Sequence, residues 1–231
     1  MSSNESTTPW QELQDLLQRE AACKQGKTCP RLEVRELFFE PNHHTLSHWR
    51  KHGTGPFYTN GIDRRLVFVA ESPSNRRPRS DAADFNVGGQ RGWRCWDYTR
   101  QDANFREARE RHGFQDCLIT NAVKCGPLRL PAKLTDKEAS SCSQFLRAEL
   151  EAIKPFIVAC VGGSAMKLFQ SHTLPSLSFN PVVVRVPHYS FRGGKTAFLA
   201  RWDAEFARIK VALAARGVSP DEPLYLHAAS V

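Results

Sequence analysis

Three polar residues each follow an apolar, β-branched run in this chain. Glu71 lies in Val67-Phe-Val-Ala-Glu-Ser-Pro-Ser74, Asn121 in Ile119-Thr-Asn-Ala-Val-Lys-Cys-Gly-Pro127, and His188 in Val186-Pro-His-Tyr-Ser-Phe-Arg192. A carboxylate can orient or activate water, an amide offers one acceptor and one donor group side by side, and a neutral imidazole donates through a single N–H. Buried parallel strands read as continuous apolar runs, and ligand-binding groups collect just beyond their carboxyl ends. The three residues are therefore expected on one edge of one sheet, around one crevice. The seven cysteines are a second set with chemistry in it. An odd number cannot all pair as disulfides, so metal ligation or core packing must account for them.

The elements that would position these groups alternate between strand and helix. Thr8-Pro9 can cap and start a helix carrying Trp10, Leu13, Leu16 and Leu17 on one face. Residues 1–8 read as disordered, and the rest of 9–62 as this helix followed by an irregular segment rich in His, Pro and Gly. Strands are expected at 65–70, 116–122, 156–161 and 181–186. Helices are expected near 100–112, at 136–152 with Leu146, Leu150 and Ile153 facing inward, at 164–170 after the Gly162-Gly163 turn, and at 197–215. The polar, Gly-rich stretch 74–95 suits a loop over the site. This order predicts a three-layer α/β/α sandwich on a four-stranded parallel central sheet, with the α/β core at 63–216 and 217–231 as a C-terminal tail. A chain of 231 residues suits one such domain, 1–231, better than two.

The formal charge of +8, from 32 Lys+Arg against 24 Asp+Glu, favours a polyanionic partner such as nucleic acid. A merely basic protein is the plain alternative. No apolar run is long enough to span a bilayer, and the polar start has no signal-peptide form. The expectation is a cytoplasmic, monomeric protein with reduced thiols and no membrane partner.

With those residues in view, the chain resembles the uracil-DNA glycosylase superfamily over about Leu66 to Gly194. The first segment is similar to the family's strand ending in Gly-Glu-Ala-Pro-Gly or Gly-Gln-Asp-Pro-Tyr. The second resembles the strand ending in the Asn that reads the uracil edge, and the third the His-Pro-Ser motif, here followed by Arg192 and Gly193. The nearest branch is the iron–sulfur type (family 4), whose middle motif reads Ile-Thr-Asn-Val-Val-Lys-Cys-Arg-Pro. The resemblance implies a glycosylase that flips uracil out of DNA, hydrolyses its N-glycosidic bond and leaves an abasic site, with no strand-cleaving step.

Such an enzyme unstacks its target base and stabilises the negative charge that builds on it as the bond to the sugar breaks. On the resemblance, His188 is the donor toward uracil O2, and Asn121 pairs with N3–H and O4, an edge on which cytosine mispairs. Glu71 and Ser72 occupy the water-activating position. Some branches carry an Asp where Ser72 stands, and a Ser hydroxyl is no effective base at neutral pH, so that work falls to Glu71 or to positioned water. Ser74 replaces the Gly or Tyr of related motifs in the pocket wall. Phe85 lies where the family places a ring that stacks on the base, with Trp93 and Trp96 as competitors. Ser190, Phe191 and Arg192 match the loop that enters the duplex, Phe191 as a wedge, while Tyr189 replaces the family's Pro. Gly163 and Ser164, at a strand-to-helix turn, offer backbone N–H groups to a phosphate or form a plain tight turn.

Cys125 and Cys142 match the third and fourth ligands of the family's 4Fe–4S cluster. Cys23 and Cys29 lie before the first strand, as the family's first pair does, although with five intervening residues rather than two. Four thiolates suit a structural 4Fe–4S cluster, zinc accepts the same set, and buried free thiols are the remaining reading. Cys117 and Cys160 fall in apolar strands and read as core, and Cys95 has no assignment. Two other functions stay open from sequence. One is the same fold acting on another deaminated base or binding abasic sites; the other is a basic Fe–S or zinc protein that binds nucleic acid without catalysis.

Overall fold

The computed structural model describes residues 62–72, 100–123, 136–188 and 194–226. Its order is β1 (Ile62–Ala70), α1 (Arg100–Arg111), β2 (Cys117–Asn121), α2 (Asp136–Ile153), β3 (Ile157–Val161), α3 (Gly163–Leu168), β4 (Val182–Val186), α4 (Lys195–Ala214) and β5 (Tyr225–Leu226). A π turn at Phe169–Thr173 and a 3-10 turn at Leu174–Ser176 continue α3. The sheet runs β2-β1-β3-β4 with every neighbour parallel, as the alternating pattern predicts.

Two differences lie at the amino end of the sheet. β1 begins at Ile62, three residues before the expected start at 65, and Asp63 and Arg65 are buried in it as a pair. The stretch read as a C-terminal tail lays β5 antiparallel to β1, with Ile62 opposite Leu226 and Asp63 opposite Tyr225. Two residues are too short a run to announce a strand by periodicity.

The core lies in two layers, one on each face of the sheet. On one face Val67, Val69, Leu118, Val158 and Cys160 meet α2 through Cys142, Leu146, Leu150 and Ile153. These α2 positions recur at helical spacing, Asp136 and Glu138 sit in its first turn, where the dipole favours acids, and the helix stops at Lys154, which takes φ 47° just before Pro155. On the other face Phe68 is met edge-on by Phe105 at 5.3 Å, Trp202 at 6.3 Å and Phe206 at 6.1 Å. α1 and α4 thus cover this face. Cys117 is buried on this face and Cys160 on the α2 face, both core as read from sequence, and burial pushes the Cys160 thiol up to about 12. Among the described residues no helix is long and apolar enough to cross a membrane.

Candidate active site

The parallel register fixes what shares the carboxyl edge. Ala70 stands opposite Asn121 and Val161 opposite Val186. Glu71, Asn121, Gly162 and His188 therefore leave the sheet on the same side, each within two residues of a strand end. The backbone ladder runs on past the strands: the Ala122 N–H donates to the Ala70 carbonyl at 2.8 Å, Val123 to Glu71 at 3.0 Å, and Gly162 to Val186 at 2.9 Å. The edge is thus a rigid lip. Asn121 and His188 sit three strand spacings apart, roughly 14 Å along it. A group held by both must lie across β1 and β3, over Glu71 and Gly162.

Asn121 is 1% exposed, yet among the described residues neither its amide oxygen nor its amide nitrogen has a hydrogen-bond partner. A buried amide left unpaired costs about 1–3 kcal/mol. The other buried atom of this kind among the described residues is a single one, Trp202 Nε1. Among the described residues only Asn121 holds out a donor and an acceptor together, the arrangement a complementary donor–acceptor edge would satisfy.

His188 is exposed as a residue, but one side of its ring lies against Gly162. A Cβ built on Gly162 would stand 3.4 Å from His188 Cδ2 and 3.7 Å from its Cβ. Gly162 itself takes φ 91° and ψ 170°, a region open only to glycine. Burial of the ring pushes its pKa below the ordinary 6.5, so the imidazole is neutral at pH 7 and donates through one N–H. The sequence marks Gly162 as a turn residue; its contact with the histidine emerges from the pairing of β3 with β4.

Glu71 and Ser72 follow β1 directly and are half-buried. Gly163 and Ser164 begin α3 and are exposed. Cys142 lies on the second turn of α2, buried, with its thiol outside any disulfide. The remaining expected site residues, Ser74, Phe85, Ser190, Phe191, Arg192, Cys23, Cys29 and Cys125, lie outside the described residues. So do the helix after Pro9 and the loop at 74–95.

One buried contact behind the lip was not evident from the motifs. The Thr120 hydroxyl donates to a Glu149 carboxylate oxygen at 2.7 Å. Glu149 is 2% exposed on the inward stripe of α2, between Leu146 and Ile153. A charged residue on that stripe was the available signal.

Comparison with known proteins agrees with this geometry. The family model for the uracil DNA glycosylase superfamily matches residues 56–209, a span that holds all four parallel strands and the whole lip. A type-4 uracil-DNA glycosylase of Thermotoga maritima is 30% identical over 110 residues, which are 47% of this chain and 50% of that protein. The chain thus aligns with about half the length of this relative. By the family match over most of its length, and with the sheet order and edge residues described above, the chain belongs to the uracil DNA glycosylase superfamily.

Proposed function

We propose that this protein is a monofunctional DNA glycosylase that takes uracil out of DNA and hydrolyses its N-glycosidic bond, leaving an abasic site. The observation that carries the reading is the Asn121 amide, buried with both polar atoms unpaired at the sheet edge. Uracil presents an N3–H donor beside the O4 acceptor, and an amide of fixed orientation satisfies both. Cytosine reverses the pattern and would leave the buried amide mispaired, so discrimination rests on hydrogen-bond complementarity rather than size.

In this reading the base lies along the lip with O2 toward His188. As the bond to the sugar lengthens, the pyrimidine gathers negative charge and the neutral imidazole N–H stabilises it. The depressed pKa keeps the ring in the donating neutral form. Glu71, half-buried beside Asn121, holds or activates the attacking water, and Ser72 contributes a hydroxyl without acting as base. No lysine is assigned as an attacking amine, so no strand-cleaving step is included. Phe85 stacking on the base, Ser74 in the pocket wall, Ser190, Phe191 and Arg192 entering the duplex, and Gly163 and Ser164 on a phosphate complete the reading. DNA bearing uracil is the partner and the enzyme acts as a monomer inside the cell.

The cysteines extend it. Cys142 is a soft sulfur donor on the helix that follows the 124–135 segment containing Cys125, and with Cys23 and Cys29 it makes the four-thiolate set a 4Fe–4S cluster uses. Such a cluster would tie the N-terminal segment to the core without any electron transfer. Cys142→Ala should lose bound iron and sulfide together; iron content equal to wild type removes Cys142 from the ligand set.

The deciding experiment measures base release from single-stranded and paired oligonucleotides carrying uracil, read as alkali-labile breaks, with hypoxanthine and thymine controls. Breaks confined to uracil are expected. Release of hypoxanthine but not uracil, or binding without release, overturns the substrate assignment.

A further inference from the structure

Asn121 can read a base only if its amide is held still, yet among the described residues its side chain has no hydrogen-bond partner. The restraint must come through the backbone. Side chains alternate along a strand, so Thr120 faces the α2 layer while Asn121, like Cys117 and Ile119, faces the α1/α4 layer. The Thr120 hydroxyl meets Glu149 at 2.7 Å inside the apolar layer formed by α2 and the sheet. On its other flank the strand is tied to β1 by the Ala122 and Val123 N–H bonds to Ala70 and Glu71. Asn121 thus sits between a side-chain anchor one residue before it and two backbone anchors just after it.

Burying a carboxyl group in such a layer is expensive, and an apolar residue at position 149 would continue the stripe at lower cost. Core packing alone does not explain the glutamate. We infer that Glu149 and Thr120 are positioning residues for Asn121: through their hydrogen bond they lock the carboxyl end of β2 and hence the direction in which the buried amide points. The inference rests on the base-reading role proposed for Asn121. A small misplacement of a recognition group lowers rate far more than it lowers stability, by up to about a hundredfold per ångström.

The test uses the full chain. Thr120→Val removes the hydroxyl and keeps the shape; Thr120→Ser keeps the hydroxyl; Glu149→Gln keeps a carbonyl acceptor for it. Two quantities are read: the single-turnover rate on a uracil oligonucleotide, and the side-chain amide resonances of Asn121 in the free protein by NMR. Thr120→Val should lower the rate on the order of tenfold and shift the Asn121 amide signals. Thr120→Ser and Glu149→Gln should return both toward wild type. Wild-type rate and unmoved amide signals in Thr120→Val overturn the inference. So does a variant whose only change is a lower melting temperature. Should Thr120→Val fold poorly, loss of rate in Thr120→Ser despite its retained hydroxyl also overturns it. Failure of the underlying reading looks different: Asn121→Ala then keeps its activity, whatever the amide signals do in the Thr120 variants.

Discussion

The two ends of the same sheet bury polar groups in opposite ways. At the amino end Asp63 and Arg65 are both wholly buried and saturated. Asp63 accepts from the Arg65 backbone at 3.0 Å, from its guanidinium at 2.6–3.1 Å and from the Leu224 N–H at 3.2 Å. Arg65 also donates to the carbonyls of Pro220 and Gly113 and lies over the Phe114 ring at 4.8 Å. Beside them Tyr225 donates to Asp116 at 2.8 Å. At the carboxyl end Asn121 is just as deeply buried and, among the described residues, has no partner for either amide atom. A satisfied buried network closes a fold; an unsatisfied one waits for a ligand. The amino end fastens residues 220–226 onto β1, and the carboxyl end carries the proposed site.

That contrast can be broken most forcefully at the clasp. Arg65→Ala leaves the Asp63 carboxylate buried without its partner, which should cost about 3–5 kcal/mol of stability. Urea unfolding should show the loss, while the rate per folded molecule on a uracil oligonucleotide stays near wild type. A large fall in that rate would make the clasp part of the site. The mirror experiment is Asn121→Leu, which should slow uracil release by about 10²–10³-fold and leave the melting temperature unchanged or higher, because an unpaired buried amide is removed. If the variant is destabilised like Arg65→Ala, Asn121 is a structural residue and the contrast between the ends disappears.

How much of this was legible in the sequence follows the same line. The four parallel strands and the helices between them announce themselves because they are long apolar runs or periodic stripes, and Glu71, Asn121 and His188 are visible as the polar residues that end such runs. The amino-end clasp is not visible. Asp63 and Arg64 fall before the strand expected at 65–70, and nothing local says that Asp63 will meet Leu224 across 161 positions. The Glu149–Thr120 contact, 29 positions apart, is hidden for the same reason, since pairing between distant elements is set by topology. Gly162 was legible as a turn, but its contact with His188 required knowing that β3 and β4 are neighbours.

The smallest effect is also the one that separates the ends by pH. His188 has a folded pKa lowered by burial from the ordinary 6.5. Above 6.5 the ring is neutral in both the folded and unfolded chain, so it contributes nothing to the pH dependence of stability there. As pH falls through 6.5 the unfolded chain takes up a proton that the folded ring resists, so His188 makes the fold progressively less stable down to its own lower pKa, and the penalty is constant below it. NMR titration should place the His188 midpoint below 6.5, and the rate of uracil release should show no step at 6.5, since the donating neutral ring persists past that point. In Gly162→Ala the methyl touches the ring at ordinary contact distance, but φ 91° is strained for alanine, and relief of that strain is expected to shift the β3–α3 turn away from the ring. The midpoint should then move up toward 6.5 and the rate should begin to fall at a higher pH than in wild type. An unchanged midpoint in that variant would mean that Gly162 serves only the turn, and the carboxyl end would keep Asn121 as its one residue held for a ligand.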